Sequence, residues 1–160
     1  MSGKNRFRLL WLLAVFVTVL DQVTKILVLK NIPEGVVVPI IPSFLNLTLT
    51  FNKGIAFGLL SELTDLWRHL IINSGTVLAL LMIVYFLKRH FKDDFIAHFA
   101  MALVVGGAIG NVIDRICYGQ VVDFIDVYYK NIHWPAFNVA DSAVCIGVFI
   151  LLLKPTKHKV

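Results

Sequence analysis

Four long apolar runs constrain this chain more than any other feature: Leu9–Leu29, Leu70–Leu87, Phe95–Ile116 and about Phe137–Leu153. A helix needs about 20 such residues to cross a hydrocarbon core of about 30 Å, within a working range of about 17–25. The fourth run is short, so its outer end is expected to start close to the bilayer surface. The chain is 58% hydrophobic and 16% charged, with a mean hydropathy of +0.81. Soluble domains sit near 45–50% apolar and about 25% charged. With 160 residues there is room for one domain, 1–160, and not for two. The expectation is an all-α membrane protein of four transmembrane helices.

Charge orients those spans. The N-terminal stretch carries Lys4, Arg6 and Arg8, the second connection Lys88, Arg89 and Lys92, and the C-terminal stretch Lys154, Lys157 and Lys159. In a four-span topology all of these fall on one side, so both termini are expected in the cytoplasm. The segments 30–69 and 117–136 then face outward. The net charge of +5 is explained by this rule; nucleic-acid binding would need a basic patch clustered on a soluble face, and no such partner is expected. The first run has the basic start of a signal peptide. No small-x-small cleavage site follows it, and Asp21, Gln22 and Lys25 come next, so it reads as an uncleaved span. Cys117 and Cys145 form no CxxC or metal-spaced set and read as small apolar residues. Neither a metal nor a cofactor is expected.

The outward segments carry structure of their own. Leu45, Leu47, Leu49 and Phe51 alternate with Asn46, Thr48, Thr50 and Asn52, the period of a half-buried strand. Pro33, Gly35, Pro39 and Pro42 punctuate the stretch before it. Val121–Tyr129 is rich in β-branched and aromatic residues and is a candidate partner strand. Ser61–Trp67 reads as a short amphipathic helix or turn at the interface, with Trp67 at headgroup depth.

Ionisable residues within or beside the spans are the candidates for function, because charge in hydrocarbon is costly. Asp21 and Lys25 stand four apart on one helical face, either as an ion pair or as substrate-positioning groups. Gly106, Gly107, Ala108 and Gly110 permit close helix approach. Asn111 and Asp114 follow on a shared face, with Arg115 beside them; the last two read equally well as interfacial charges in ion pairs. Asp123 and Asp141 are acids in apolar sequence at the outer boundary, with Asp126 as the neighbouring alternative. Asp141 is also placed to cap the fourth helix.

Five stretches, taken in order, resemble the lipoprotein signal peptidases, or signal peptidase II. They are Asp21-Gln22-Val23-Thr24-Lys25, Phe51–Phe57, Gly107–Arg115, Val121–Phe124 and Trp134–Ser142. Each alone is weak; together they cover residues 21 to 142. The resemblance implies a small extracytoplasmic β-sheet cradle above the four helices and assigns Asp123 and Asp141 as the catalytic pair. It also implies site-supporting or substrate-binding roles for Asn52, Gly54, Gly107, Asn111, Asp114, Arg115, Asn138 and Ala140, and favours such roles for Asp21 and Lys25. The implied activity is an aspartic endopeptidase of the bacterial inner membrane. It cuts lipid-modified prolipoproteins just before a diacylglyceryl-bearing cysteine, with membrane lipids as further partners. A monomer is expected.

The residues agree with that chemistry. No GxSxG, supported Cys–His pair or HExxH is present. Two carboxylates and a water can perform the whole hydrolysis if the pair shares one proton. Three other classes compete. A membrane carrier would place charges near the bilayer middle, whereas these cluster at one end of the spans. A quinone-coupled redox protein would need a reactive outer cysteine pair, but Cys145 lies inside the fourth run. A non-catalytic lipoprotein-binding module would separate binding from cleavage on replacement of Asp123.

Overall fold

The computed structural model describes residues 3–53, 64–90 and 94–154. The described residues form, in order, α1 (Gly3–Asn31), β1 (Val37–Ile41), β2 (Leu45–Asn52), α2 (Asp65–His90), α3 (Phe95–Tyr118), β3 (Val121–Tyr129), β4 (Ile132–His133) and α4 (Val139–Leu152). Arg8–Asn31 and Phe95–Tyr118 are long and apolar enough to cross a membrane, while Leu70–Tyr85 and Val139–Leu152 are shorter apolar helices. Of the expected interfacial helix, residues 61–63 lie outside the described residues. Asp65–Trp67 form the start of α2 instead of a separate element.

Polarity is inverted relative to a water-soluble domain. Leu12 and Phe16 on α1 are 65% and 61% exposed, while Asp21, Lys25, Asp114 and Asn138 are at most 1% exposed. Apolar surface facing outward and satisfied charge within is what a hydrocarbon solvent selects.

The helices approach through small residues, since apolar side chains gain nothing by leaving lipid for one another. α3 packs against both α1 and α4. A Cβ on Gly106 would stand 2.6 Å from the Ala14 carbonyl oxygen, and one on Gly107 2.4 Å from that of Ala140. Thr18 on α1 adds a hydrogen bond from its hydroxyl to the Gly106 carbonyl at 2.9 Å. At the other end of these helices, Asp94 caps α3 by accepting from the Ala97 N–H at 3.0 Å. The same carboxylate pairs with Lys154, just beyond α4. The α3 C-terminus closes on Gly119, whose φ of 70° lets its N–H reach the Arg115 carbonyl.

The strands form one antiparallel sheet in the order β1-β2-β3-β4. Pro39 within β1 and Pro42 just after it mask its strand character in the sequence. Pro39 is accommodated because β1 is an edge strand, and the register slips between Pro39 and Ile41. In β2 a second slip falls between Leu47 and Thr50. Alternation is therefore imperfect, and Asn46 from the polar set is buried. The sheet packs on the end of α1 through Val28, Ile32, Leu49, Val122 and Phe124. Each such side chain contributes about 1.5–3 kcal/mol on full burial from water. This cluster fixes β3 over the helix ends, and with it the backbone that carries Asp123.

Candidate active site

Three helix ends and two strands converge below the sheet. Lys25 on α1 is the buried centre of a charge cluster. Its ammonium has three protons and three acceptors: Asp21 Oδ2 at 2.8 Å, Asp114 Oδ2 at 2.8 Å and Asn111 Oδ1 at 3.1 Å. The i,i+4 ion pair with Asp21 thus exists, but it is one arm of a larger cluster. Both residues are buried among the described residues, at 1% exposure for Lys25 and 0% for Asp21.

The two aspartates of this cluster work structurally in different directions. Asp21 Oδ1 accepts from the Ala140 N–H at 2.8 Å, so α1 satisfies an otherwise orphaned donor in the first turn of α4. Asp114 Oδ2 accepts from the Val122 N–H at 3.0 Å and anchors the start of β3. Gln22 has no role legible in the sequence. In the fold its amide donates to Asp114 Oδ1 at 2.9 Å and to the Gly110 carbonyl at 3.1 Å. Gly107 and Gly110 leave room for these contacts: a Cβ on Gly110 would lie 2.5 Å from Asp21 Oδ2.

Asn138 and Asn111 link this cluster to Asp123 and Asp141. Asn138 is the N-cap of α4 and forms a reciprocal capping box with Asp141 at N3. Capping and a place in the site, alternatives in the sequence, coexist in Asp141. The Asn138 side-chain amide donates to Asp123 Oδ1 at 2.7 Å and to Asn111 Oδ1 at 3.2 Å. Asn111 in turn donates to Asp141 Oδ1 at 2.8 Å. From β2, Asn52 donates to Asp123 Oδ2 at 3.1 Å. Arg115 bonds the Asn111 carbonyl at 3.3 Å, with Asp141, Asp114 and Asp123 all within electrostatic range of its guanidinium.

Electrostatics separate the acids. Asp123 is 3% exposed. Burial, reinforced by the Asp141 charge, pushes its carboxyl up to about 7, against the opposing pull of Asn52, Asn138 and Lys25. Asp126, the alternative acid, is engaged elsewhere: it accepts from Asn46 at 2.8 Å and contacts His133 Nδ1 at 2.8 Å. Asn46 carries no functional signal in the sequence beyond its place in the alternating strand.

Every proposed site residue among the described residues therefore joins one connected set, with Gly107 and Ala140 packed at the α3–α4 contact. Gly54 lies outside the described residues. Among those described, no group of three or more His, Cys, Asp or Glu is arranged to hold a metal ion.

Comparison with known proteins agrees with this chemistry. The family model described as signal peptidase (SPase) II matches residues 13–156. A lipoprotein signal peptidase of Syntrophotalea carbinolica is 43% identical over 148 residues, covering 92% of this chain and 91% of the relative. One from Halalkalibacterium halodurans is 45% identical over 144 residues, covering 90% and 89%. A bacterial membrane enzyme solved by the in meso method at 2.3 Å resolution is similar with a TM-score of 0.74 and 39% identity, covering 93% of this chain and 90% of that one. A match along nearly the whole chain, on top of the buried acid and amide set, places it: the chain belongs to the signal peptidase II family.

Proposed function

We propose that Asp123 and Asp141 are a catalytic pair that directs a water molecule at a peptide bond lying at the membrane surface. As a signal peptidase II the chain is an aspartic peptidase of the membrane, and it removes signal peptides from prolipoproteins. The cut falls before the diacylglyceryl-modified cysteine.

One observation carries the assignment. Asn138 donates from its side chain to Asp123 at 2.7 Å and from its backbone N–H to Asp141 at 3.3 Å, so a single residue holds both carboxyls. Asp123, pushed up to about 7, carries the shared proton. Asp141 stands in the first turn of α4 and is assigned the role of base. Asp141 takes a proton from water as the oxygen attacks the scissile carbonyl, and Asp123 donates its hydrogen bond to the developing oxyanion. The tetrahedral intermediate collapses when the proton on Asp141 passes to the leaving nitrogen and the C–N bond breaks. No metal takes part in this scheme.

The same reading makes the chain a single membrane-embedded domain whose four helices all span, with both termini cytoplasmic and the sheet outside. α4 has 14 residues, about 21 Å of helix. It is shorter than the hydrocarbon core, so the pair near its N-terminus meets the bond while the acyl chains stay in the bilayer. Gly54 is assigned to the same group of substrate-binding or site-supporting positions, and the working unit is a monomer among membrane lipids.

The test is turnover of a lipidated prolipoprotein peptide by purified protein in detergent. Asp123→Asn and Asp141→Asn should each lose several orders of magnitude, and the double variant little more, as for residues that act as a unit. Asp126→Asn should be milder. An unlipidated peptide should lose most of the rate, because remote binding energy positions the reacting bond. Near wild-type turnover in either single variant would remove that residue from the pair.

A further inference from the structure

Lys25 is only 1% exposed, yet it is tied directly to the amide that donates to Asp141. An asparagine amide has two chemically different ends, and nothing in its shape selects between them. At Asn111 the choice is made by neighbours. The Lys25 ammonium can only donate, and it stands 3.1 Å from Asn111 Oδ1. Asn138 Nδ2, also a donor, stands 3.2 Å from the same oxygen. With its oxygen held on that side, Asn111 must turn its NH2 toward Asp141, which accepts at 2.8 Å.

We infer that Lys25 is a positioning residue for the dyad, acting through Asn111: its ammonium fixes the orientation of the Asn111 amide and so supplies Asp141 with its hydrogen-bond donor. This rests on the assignment of Asp141 to the catalytic pair. Asp21 and Asp114 complete the device by occupying the other two ammonium protons, each at 2.8 Å. The third proton is left with one acceptor and one direction. Asp21 and Asp114 also hold Lys25 against the two elements that frame the site, through the Ala140 N–H on α4 and the Val122 N–H on β3. A lysine that merely neutralised two acids would have no reason to act on Asn111. In this cluster the neutralising and orienting contacts belong to the same ammonium.

The inference has a readout that a purely structural ion pair would not share. Lys25→Gln replaces a donor-only group with one that can also accept, and the Asn111 oxygen is then held in place by Asn138 Nδ2 alone, which weakens the bias against reversal. A reversed amide sets an oxygen against the Asp141 carboxylate. The expected result is a fall of about 100-fold in kcat with KM for the lipidated peptide changed less than about threefold, on the scale of a misplaced catalytic group. Lys25→Arg, still donor-only, should recover most of the rate.

The decisive measurement is a double-substitution cycle with Asn111→Ala. In the Asn111→Ala background, Lys25→Gln should cause little further loss of kcat, because the amide through which it acts is gone. If Lys25→Gln does not fold, Lys25→Gln with Asp114→Asn keeps the net charge of the cluster and is compared with Asp114→Asn alone, with and without Asn111→Ala. Losses that multiply independently of Asn111 would overturn the inference, as would a change in KM with kcat preserved. Activity surviving Asp141→Asn would instead overturn the dyad assignment, a separate and distinguishable outcome.

Discussion

Asn138 and Asp141 hold each other at the start of α4: the Asp141 N–H donates to Asn138 Oδ1 at 2.8 Å, and the Asn138 N–H donates to Asp141 Oδ2 at 3.3 Å. One residue pair thus serves both as helix cap and as the link between the acids. Asn138→Ala should separate the two roles. Loss of the cap costs about 1 kcal/mol and at most about 2, a modest fall in unfolding temperature. Turnover should fall further, by about 100-fold, because the same change removes a donor from Asp123. Thermal unfolding and kcat measured on the same sample decide it; a proportionate small loss of both would leave Asn138 as a cap alone.

The raised Asp123 carboxyl has consequences for pH with a definite sign. Its value of about 7 in the fold exceeds the 3.8 expected of a free aspartate. The folded state therefore holds a proton that the unfolded state has released between those values, so this group's contribution to stability declines as pH rises from about 4 to 7. Asp123→Asn removes the titration. The variant should be inactive yet more stable than wild type at pH 8, with the difference narrowing toward pH 4. The proposed mechanism needs the single shared proton, so wild-type kcat should fall as pH climbs through about 7. Unfolding midpoints and rate profiles over pH 4–9 test both; a stability gap that stays constant across that range would mean that Asp123 does not titrate within it.

Close helix approach makes Gly107 sensitive to a single added methyl. Its Cβ would meet the Ala140 carbonyl oxygen at 2.4 Å and a Val144 methyl at 2.8 Å. Backbone cannot move aside as a side chain can, so α3 and α4 must part. Gly107→Ala should cost about 1–3 kcal/mol, the range for overpacking, and lower kcat by shifting Asn111 relative to Asp141. Gly75→Ala is the control, since a Cβ there would have nothing within 4 Å. Equal unfolding temperatures for the two variants would contradict the packing account.

Basic residues set the expected orientation. A cysteine introduced at position 90 should be labelled only after the membrane is permeabilised, while one at position 62 should be labelled from outside. The reverse pattern would invert the topology and move the dyad to the cytoplasmic face.

Legibility in the sequence followed the range of the interactions involved. The helices announce themselves through local composition, and β2 and β3 through alternation and β-branched content. β1 does not, because Pro39 and Pro42 read as punctuation, and only the edge position in the folded sheet makes the proline at 39 tolerable. β4 has two residues, too few to show a period. In the site, Asp123 and Asp141 stand out as acids at apolar boundaries, Asn52 and Asn138 are singled out only by the family resemblance, and neither signal names their partners. Asp21 reaches Ala140 across 119 residues of chain, and no local pattern encodes such a pairing. Gln22 looks like an ordinary neighbour of Asp21 until α3 lies alongside. The ion pair of Lys25 with Asp21 is present in the fold, and its extension to Asp114 and Asn111 is a property of the assembled helices.

The far ends of α3 and α4 carry the ion pair of Asp94 with Lys154, while their near ends are joined by Asn111 and Asp141. Two helices stitched at both ends cannot scissor, and α1 is bolted to both through Lys25 and Asp21. The helix ends that carry Lys25, Asn111, Asp114 and Asp141 are therefore fixed in spacing relative to one another.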